Sequence, residues 1–191
     1  MTRSGRRPGA PATREHIVAV ARRAFGARGY DATSLRSIAT EAGVDPGLLV
    51  HYFGTKEGVF RAAVEVAVQP GQLFQGLEGL TSQECAEQLV RRYLMVLGRD
   101  EPRDVVMGLI RSAVSNKHAA DLLRDVLFQE LLTSLESVID LPNARLRASL
   151  IVAQLVGIAT LKYVVRVGAV VQATDEEIVA LVSPAIERYL G

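Results

Sequence analysis

Apolar residues recur every three or four positions through most of this chain, and no stretch shows the alternation typical of half-buried strands. The pattern predicts an all-α protein of about nine helices. Thr81-x-x-Glu84 and Thr174-x-x-Glu177 are capping-box patterns that mark two helix starts. The predicted helices are two short ones between residues 33 and 53, and seven at 13–28, 55–68, 81–98, 103–115, 119–139, 144–167 and 175–189.

The two short helices are separated by a glycine turn. Thr33 or Ser34 can cap the first of them, and Gly43 stands where a left-handed residue ends a helix at low cost. Asp45 is a good N-cap for the second, and Pro46 suits its first position. This is the layout of a helix-turn-helix, whose second helix enters the major groove of DNA. An ordinary helical hairpin within a bundle is the alternative.

The net charge of +1 conceals an uneven distribution. Residues 1–56 hold nine Lys and Arg against four Asp and Glu, which gives +5, and the remainder holds 13 against 17, which gives −4. The basic part coincides with the helix-turn-helix, as expected when phosphate contacts supply affinity. Residues 1–12 are predicted to form a disordered basic arm whose arginines reach a minor groove or remain an unstructured tail.

Between Phe25 and Phe60 the chain resembles TetR-type transcriptional regulators at seventeen positions without a gap. The C-terminal stretches LIVAQLVGIATLKYVV and EEIVALVSPAIERYLG are similar to the last two helices of the actinobacterial branch. The resemblance implies an N-terminal helix-turn-helix domain of three helices and a C-terminal effector-binding and dimerisation domain. The matching residues are Phe25, Gly29, Tyr30, Thr33, Ile38, Ala39, Ala42, Gly43, Val44, Gly47, Leu49, His51, Tyr52, Phe53, Lys56, Glu57 and Phe60.

The resemblance implies a set of DNA-contacting residues, with Pro46, Leu48 and Val50 replacing the more polar residues of many family members. The recognition helix is therefore poorer in hydrogen-bond donors, and we interpret this as a change in which groups contact DNA. We expect Leu48 and Val50 to touch thymine methyl groups. The predicted contacts are Thr33, Ser34, Arg36, Asp45, Pro46, Gly47, Leu48, Val50, His51, Tyr52, Thr55 and Lys56.

The predicted domains are 13–56 for DNA binding and 57–191 for effector binding and dimerisation, joined by the helix 55–68. Gln69-Pro70-Gly71 ends that helix and marks the boundary. The resemblance implies a homodimer formed by helices near 144–167 and 175–189, which suits a palindromic operator in double-stranded DNA.

The apolar stretch 148–171 approaches the roughly 20 residues that a membrane-spanning helix needs. Gln154, Lys162 and Arg166 interrupt it, which favours burial against protein over lipid. The N-terminus has no apolar segment after its arginines, so no secretory signal is expected. We therefore expect a cytoplasmic protein without a membrane contact.

The resemblance also implies an effector pocket among the central helices. We select residues with polar or polarisable tips among apolar neighbours, since ligand sites combine an apolar wall with a few polar groups. Arg111 would suit an anionic effector, or it forms a salt bridge with Asp104, Asp121 or Asp125. The candidates are Tyr93, Met95, Met107, Arg111, His118, Phe128, Gln154 and Tyr163.

No constellation for catalysis is visible, so we expect no enzyme, no cofactor and no metal site. The three histidines lack Cys, Asp or Glu partners at metal-ligand spacing. The single cysteine, Cys85, is interpreted as a packing residue, with redox sensing as the alternative. The predicted function is a repressor released from DNA by a small molecule. The alternatives are an architectural or cell-cycle factor without a metabolite, and a ligand-binding module whose DNA head has degenerated.

Overall fold

The computed structural model describes residues 10–68, 73, 75–77 and 79–191, and these form eleven α-helices and no strand. Two π-helical segments, Leu123–Phe128 and Thr160–Val164, extend neighbouring α-helices. The predicted all-α fold is confirmed. The helices are α1 (Ala10–Arg28), α2 (Leu35–Ala42), α3 (Pro46–Phe53), α4 (Lys56–Val68), α5 (Ser82–Leu97), α6 (Asp100–Ser115), α7 (Lys117–Leu122), α8 (Gln129–Glu136), α9 (Ala144–Ala159), α10 (Gly168–Gln172) and α11 (Asp175–Leu190).

Both predicted capping boxes are present, and each fixes a helix start. Thr81 accepts the backbone N–H of Glu84, whose carboxylate accepts the N–H of Thr81 in return, at the start of α5. Thr174 and Glu177 repeat the exchange at the start of α11. These signals are readable from sequence because every partner lies within three residues.

Two predicted helix starts are wrong by a few residues. The first helix begins at Ala10, so residues 10–12 belong to α1 and not to a disordered arm. α6 begins at Asp100, three residues before the predicted start at residue 103. Pro102 is tolerated there because the first turn of a helix needs no backbone N–H. Residues 1–9 and the predicted boundary Gln69-Pro70-Gly71 lie outside the described residues.

Two long helices predicted as continuous are divided. The π-helical segment Leu123–Phe128 separates α7 from α8. α7 begins at Lys117 because the side chain of Asn116 accepts the backbone N–H of Ala119 at 3.1 Å. The predicted helix 144–167 ends earlier, since Arg166 adopts a left-handed φ of 58°. α10 follows as a separate helix. These divisions account for eleven helices where about nine were predicted.

A single hydrophobic core runs through the whole described chain. Phe25 and Phe60 anchor its N-terminal part, and Leu89, Leu135 and Ile151 are among the fully buried residues of its C-terminal part. α1 packs on α4 and α6, and α11 packs on α5. The N-terminal helices are therefore seated on the C-terminal ones through α1 and α4.

The close packing of α1 against α6 depends on two glycines. A Cβ atom on Gly108 would lie 2.8 Å from the carbonyl oxygen of Phe25, and one on Gly26 would lie 3.1 Å from Cβ of Asp104. Beside this crossing, the backbone N–H of Tyr30 donates to Oγ of buried Ser112 at 3.2 Å. Only glycine permits the two backbones to approach this closely.

Replacement of Gly108 by Ala should therefore destabilise the protein although Ala favours helices. We expect a loss of about 1–3 kcal/mol in the free energy of unfolding, because the α1 backbone must move away. Urea unfolding followed by circular dichroism measures it. The matched control is Gly168→Ala, where no heavy atom lies within 4 Å of the new methyl group. Equal stability of the two variants would show that the glycine contact does not hold the helices together.

Candidate functional site

α2 and α3 form the predicted helix-turn-helix, and their local hydrogen bonds explain it. Ser34 caps α2 by accepting the N–H of Ser37 at 3.0 Å. Gly43 ends α2 with a left-handed φ of 64°. Asp45 caps α3 by accepting the N–H of Gly47 at 2.7 Å. Leu49 is completely buried and fixes the inward side of α3.

The opposite side of α3 faces solvent. Pro46, Gly47, Val50 and His51 are exposed, and 54% of Val50 is accessible. Leu48 and Tyr52 are half-buried beside them. This exposed face, Pro46 to Tyr52, is called the recognition face below. Its side chains include one basic group, that of His51, and two aliphatic groups, those of Leu48 and Val50.

Polar and basic groups border the recognition face. Arg36 is exposed on α2, and Thr55 is exposed where α4 begins, with its Oγ1 accepting the N–H of Gly58 at 3.2 Å. Lys56 is half-buried, and its ammonium lies 4.1 Å from the centre of the Tyr30 ring. Burial lowers the pKa of Lys56. A cation against an aromatic face is stabilised by the ring quadrupole.

Thr33, one of the predicted DNA contacts, has a structural role within the protein. Only 1% of the residue is exposed. Its hydroxyl reaches two carbonyl oxygens of the preceding segment, that of Gly29 at 2.8 Å and that of Ala24 at 3.2 Å. The side chain therefore ties the start of α2 to the end of α1.

Gly58 is a positioning residue that the sequence reasoning missed. A Cβ atom there would collide with the carbonyl oxygen of Phe53, the last residue of α3. The missing side chain lets α4 pass directly beneath the end of α3. A glycine in the first turn of a predicted helix was the available signal, since glycine is otherwise unfavourable there.

A polar cluster joins the N-terminal helices to the C-terminal ones. Glu57 accepts a hydrogen bond from the Tyr30 hydroxyl at 3.0 Å and contacts Nε2 of His118 at 2.9 Å. Hydrogen bonds from Thr55, its own backbone and His118 lower the pKa of Glu57 to about 2. Burial raises the pKa of Tyr30. We call Tyr30, Glu57 and His118 the junction cluster.

Two predicted pocket residues belong to this junction and not to a cavity. His118 lies at the start of α7 within the junction cluster. Arg111 is exposed, and its guanidinium donates to the carbonyl oxygen of Gly26 at 3.4 Å. Asn116 adds a hydrogen bond to Asp31 at 2.8 Å. Sequence spacing did not reveal these partners, because they lie more than 80 positions away for Arg111 and Asn116.

A cavity of about 50 Å³ lies among α5, α6, α8 and α9. Of the predicted pocket residues, Tyr93 and Phe128 line it. The Tyr93 hydroxyl donates to the carbonyl oxygen of Leu155 at 2.8 Å, and burial raises the pKa of Tyr93. The remaining lining residues are aliphatic, namely Leu73, Leu89, Val96, Leu97, Val106, Leu131, Leu135, Val152, Leu155 and Val156.

The other predicted pocket residues lie elsewhere. Met95 is exposed, and Met107 is buried in the core outside the cavity lining. Gln154 is half-buried on α9 and does not line the cavity. The Tyr163 ring carries the guanidinium of Arg103 at 5.2 Å from its centre. Polarity among apolar neighbours was therefore a poor guide, because the cavity wall is apolar.

Cys85 is buried in the core, and burial raises the pKa of its thiol. A thiol that stays protonated is a weak nucleophile, so this environment does not favour redox sensing. Within the part of the chain that the structure describes, no three His, Cys, Asp or Glu side chains are grouped so that they could hold a metal ion.

An apolar face remains uncovered on α9 and α11. Leu146, Leu150 and Leu161 follow one side of α9 and its π-helical extension, and Leu181, which is 81% exposed, stands on α11. Residues 144–164 are long and apolar enough to span a membrane, with a mean hydropathy of 1.4. One such helix is weak evidence for a span, since interface helices are equally apolar. Lys162 at its end is paired with Asp175 at 2.9 Å.

The junction cluster predicts a pH-dependent contribution of Glu57 to stability. Because folding lowers the pKa of this carboxyl from 4.5 to about 2, the contribution is full above pH 4.5 and is lost as pH falls to about 2. Glu57→Gln should therefore reduce the free energy of unfolding at pH 7, and the difference from wild type should shrink toward pH 2. The carboxylate is 40% exposed, so we expect on the order of 1 kcal/mol or less.

Urea unfolding at pH 7, 4 and 2.5 measures this difference. Asp140→Asn, which removes an exposed carboxylate from the loop between α8 and α9, is the control and should have little effect. A Glu57→Gln difference that stays constant from pH 7 to 2.5 would contradict the lowered pKa.

Two family models match most of the chain. Residues 17–63 match the bacterial regulatory proteins of the tetR family, and residues 83–190 match the tetracyclin repressor-like C-terminal domain. The first match covers the helix-turn-helix, and the second covers the cavity, α9 and α11. No functionally curated protein matches the chain.

Solved structures show the same relationship. A TetR-family regulator from Streptomyces coelicolor A3 is 33% identical, with a TM-score of 0.75 over 98% of this chain and 99% of that one. Salmonella enterica GusR is 20% identical, with a TM-score of 0.73 over 96% and 100% of the two chains. The fatty acid degradation regulator FadR from Bacillus halodurans is 19% identical, with a TM-score of 0.69 over 91% and 97%. These last two likenesses concern the fold alone. With both domains matched and a relative similar over its full length, the chain belongs to the TetR family of DNA-binding transcriptional regulators.

Proposed function

We propose that the protein is a homodimeric repressor that binds a palindromic operator through two recognition faces and is released by a small-molecule effector. The observation that carries the proposal is the exposed recognition face on a fully capped α3, beside basic groups on α2 and α4. As a transcription factor, the protein acts in the cytoplasm and catalyses no reaction.

The groups around the recognition face suggest a division of labour on DNA. His51 and Tyr52 on α3, with Arg36 and Thr55 beside it, would contact phosphates, which fix register without reading sequence. Lys56 would join them by leaving the face of the Tyr30 ring. The positive charges of Arg36 and Lys56 would account for affinity and salt dependence, not for operator choice.

Base reading would rest mainly on apolar contacts. Gly47 has no side chain, so the start of α3 can come close to the DNA. Leu48 and Val50 present methyl groups, which suit the C5-methyl groups of thymine in the major groove. Val50 is 54% exposed, so its methyl groups are accessible to such a contact.

The uncovered face of α9 and α11 would form the dimer. Exposed apolar residues on both helices, of the kind that mark a protein interface, support this, namely Leu146, Leu150, Leu161 and Leu181. An isologous contact through this face would relate the two recognition faces by a two-fold axis. Major grooves on one side of DNA recur about every 34–36 Å, which is the spacing that the dimer must present.

The junction cluster offers a route from effector to DNA. α7, the π-helical segment and α8 form one rod, which has His118 near its start and the cavity residue Phe128 further along. Movement of this rod would change the His118–Glu57 contact, and Glu57 is adjacent to Lys56 on α4. An effector acts only if it binds the two arrangements with different affinity.

The small size of the cavity favours one alternative, a DNA-binding architectural or cell-cycle factor without a metabolite. A cavity of about 50 Å³ is well below the roughly 300–1,000 Å³ of ordinary small-molecule sites. That function predicts many genomic sites and no release by any small molecule.

Selection of bound sequences from a random duplex pool, at near-physiological salt, tests the proposed DNA binding. We expect a palindrome with half-sites in successive major grooves. Recovery of no consensus, with binding that disappears as salt rises, would contradict sequence-specific reading. It would instead support a degenerate recognition face.

Two single variants should separate phosphate contact from base reading. Arg36→Ala should weaken binding to all sequences. It should also reduce the slope of log affinity against log salt concentration by about one unit per DNA-binding domain, since one phosphate contact is lost. Val50→Ala should leave that slope unchanged and relax preference at particular base positions. Titrations against the selected operator and its point variants, at several salt concentrations, measure both. A uniform loss on Val50→Ala would exclude base reading by this side chain.

Leu181→Arg should disrupt the dimer, because it places a charge on the uncovered face. We expect the dimer dissociation constant to rise at least about tenfold, which is 1.4 kcal/mol. Sedimentation velocity over a concentration series measures it. Val114→Arg is the matched control, because Val114 is 86% exposed on α6, outside this face. A stable Leu181→Arg dimer would place the interface elsewhere.

A further inference from the structure

We propose that the cavity and the surface groove beside it are two halves of one binding site for a neutral, hydrocarbon-rich molecule, separated at present by Phe128. The inference rests on the proposed function, since such a molecule would be the effector. It adds the chemical class of the ligand and the side chain that admits it.

The residues that line the cavity determine the chemical class of the ligand. Its lining is aliphatic and aromatic, and its single polar side chain, Tyr93, already donates its hydroxyl hydrogen to Leu155. A ligand carboxylate or ammonium group placed there would lose its hydration without gaining a partner, which is strongly unfavourable. A neutral hydrocarbon portion loses nothing of this kind. The anionic effector considered for Arg111 therefore has no support, because Arg111 lies outside the cavity.

The groove supplies the space that the cavity lacks. It measures about 260 Å³, opens to solvent, and is lined by Phe128, Leu132, Ser149, Val152, Ala153 and Val156. Phe128, Val152 and Val156 line both spaces, so these three side chains are the partition. Phe128 is the largest of the three and is half-buried. If it rotates, the joined space reaches the lower end of the usual range for small-molecule sites.

The backbone at Phe128 is suited to such a movement. Phe128 is the last residue of the π-helical segment Leu123–Phe128, which lies between two regular α-helices. π-Helical turns are rare and occur often at functional sites. A shift in hydrogen-bond register there would turn Phe128 without unfolding α7 or α8.

The groove lining also points to an uncharged polar end on the ligand. Ser149 is its one polar side chain, and its hydroxyl donates to the carbonyl oxygen of Arg145 at 2.8 Å, which leaves its oxygen able to accept. None of the lining residues is charged. A hydroxyl or similar neutral group at the outer end of the ligand would find an acceptor there, and a charged group would find no ion pair.

Three probes of equal chain length test the proposal, namely 1-decanol, decanoate and decylammonium at pH 7.5. We expect 1-decanol to bind once per chain by calorimetry and to raise the thermal midpoint, and the two ions to bind at least about tenfold more weakly. The chain has no Trp, so Phe128→Trp introduces a single indole at the partition. Its emission should change saturably with 1-decanol. Equal binding of decanoate, or no binding of 1-decanol, would overturn the proposal.

A variant that fills the site locates the probe. Val156→Phe should weaken 1-decanol binding at least about tenfold, and Val114→Phe, which adds the same group at an exposed position, should not. Phe128→Ala should shift the preference from 1-decanol to 1-dodecanol, because it enlarges the joined space. Circular dichroism and a cooperative thermal transition show whether each variant is folded. Unchanged 1-decanol affinity in folded Val156→Phe would place the probe outside this site.

Operator binding in the presence of 1-decanol separates this inference from the proposed function. If 1-decanol binds with the expected discrimination but operator affinity stays constant, the binding site is supported and effector release is contradicted. If the operator is bound specifically but 1-decanol is not, the ligand class is overturned while the DNA-binding function stands.

Discussion

The close crossing of α1 and α6 determines how the DNA-binding helices are held. Gly108 brings the two backbones within a distance at which any side chain would collide, Gly26 makes the crossing tight from the other helix, and Tyr30 is held beside them by Ser112. The Tyr30 ring then contacts Phe25 and Phe60 and supports the ammonium of Lys56. Because these contacts are short and buried, the DNA-binding helices α1 to α3 should move with the C-terminal helices and not independently of them.

This seating gives the junction cluster its importance. Glu57 belongs to α4, which lies beneath the end of the recognition helix, and His118 belongs to the rod that also carries Phe128. A ligand that displaced Phe128 would act on His118 about ten residues away, roughly 15 Å along a helix. The cavity, the rod and α4 thus form a continuous connection along which a movement of Phe128 would reach the recognition helix.

The sequence was informative where the deciding contacts are local. The caps at Asp45, Thr81 and Thr174 and the left-handed Gly43 were predictable, because each depends on neighbours within a few positions. His118 and Arg111 were misplaced because their partners are distant in the chain, and periodicity does not report which distant helices meet. The π-helical segments were not predicted for a different reason, since one additional residue in a helical turn barely alters the apolar pattern. Family resemblance located the recognition face but not the apolar character of the cavity.

The distance between the two DNA-binding domains of the dimer tests whether the junction cluster, together with the α1–α6 crossing, fixes each of them on the C-terminal helices. A spin label on Thr40→Cys, which is exposed on α2, in a Cys85→Ala background, reports this distance in the dimer by pulsed electron resonance. We predict a narrow distribution that broadens or shifts on His118→Ala, together with weaker operator binding. An unchanged distribution and unchanged operator affinity in that variant would contradict the account.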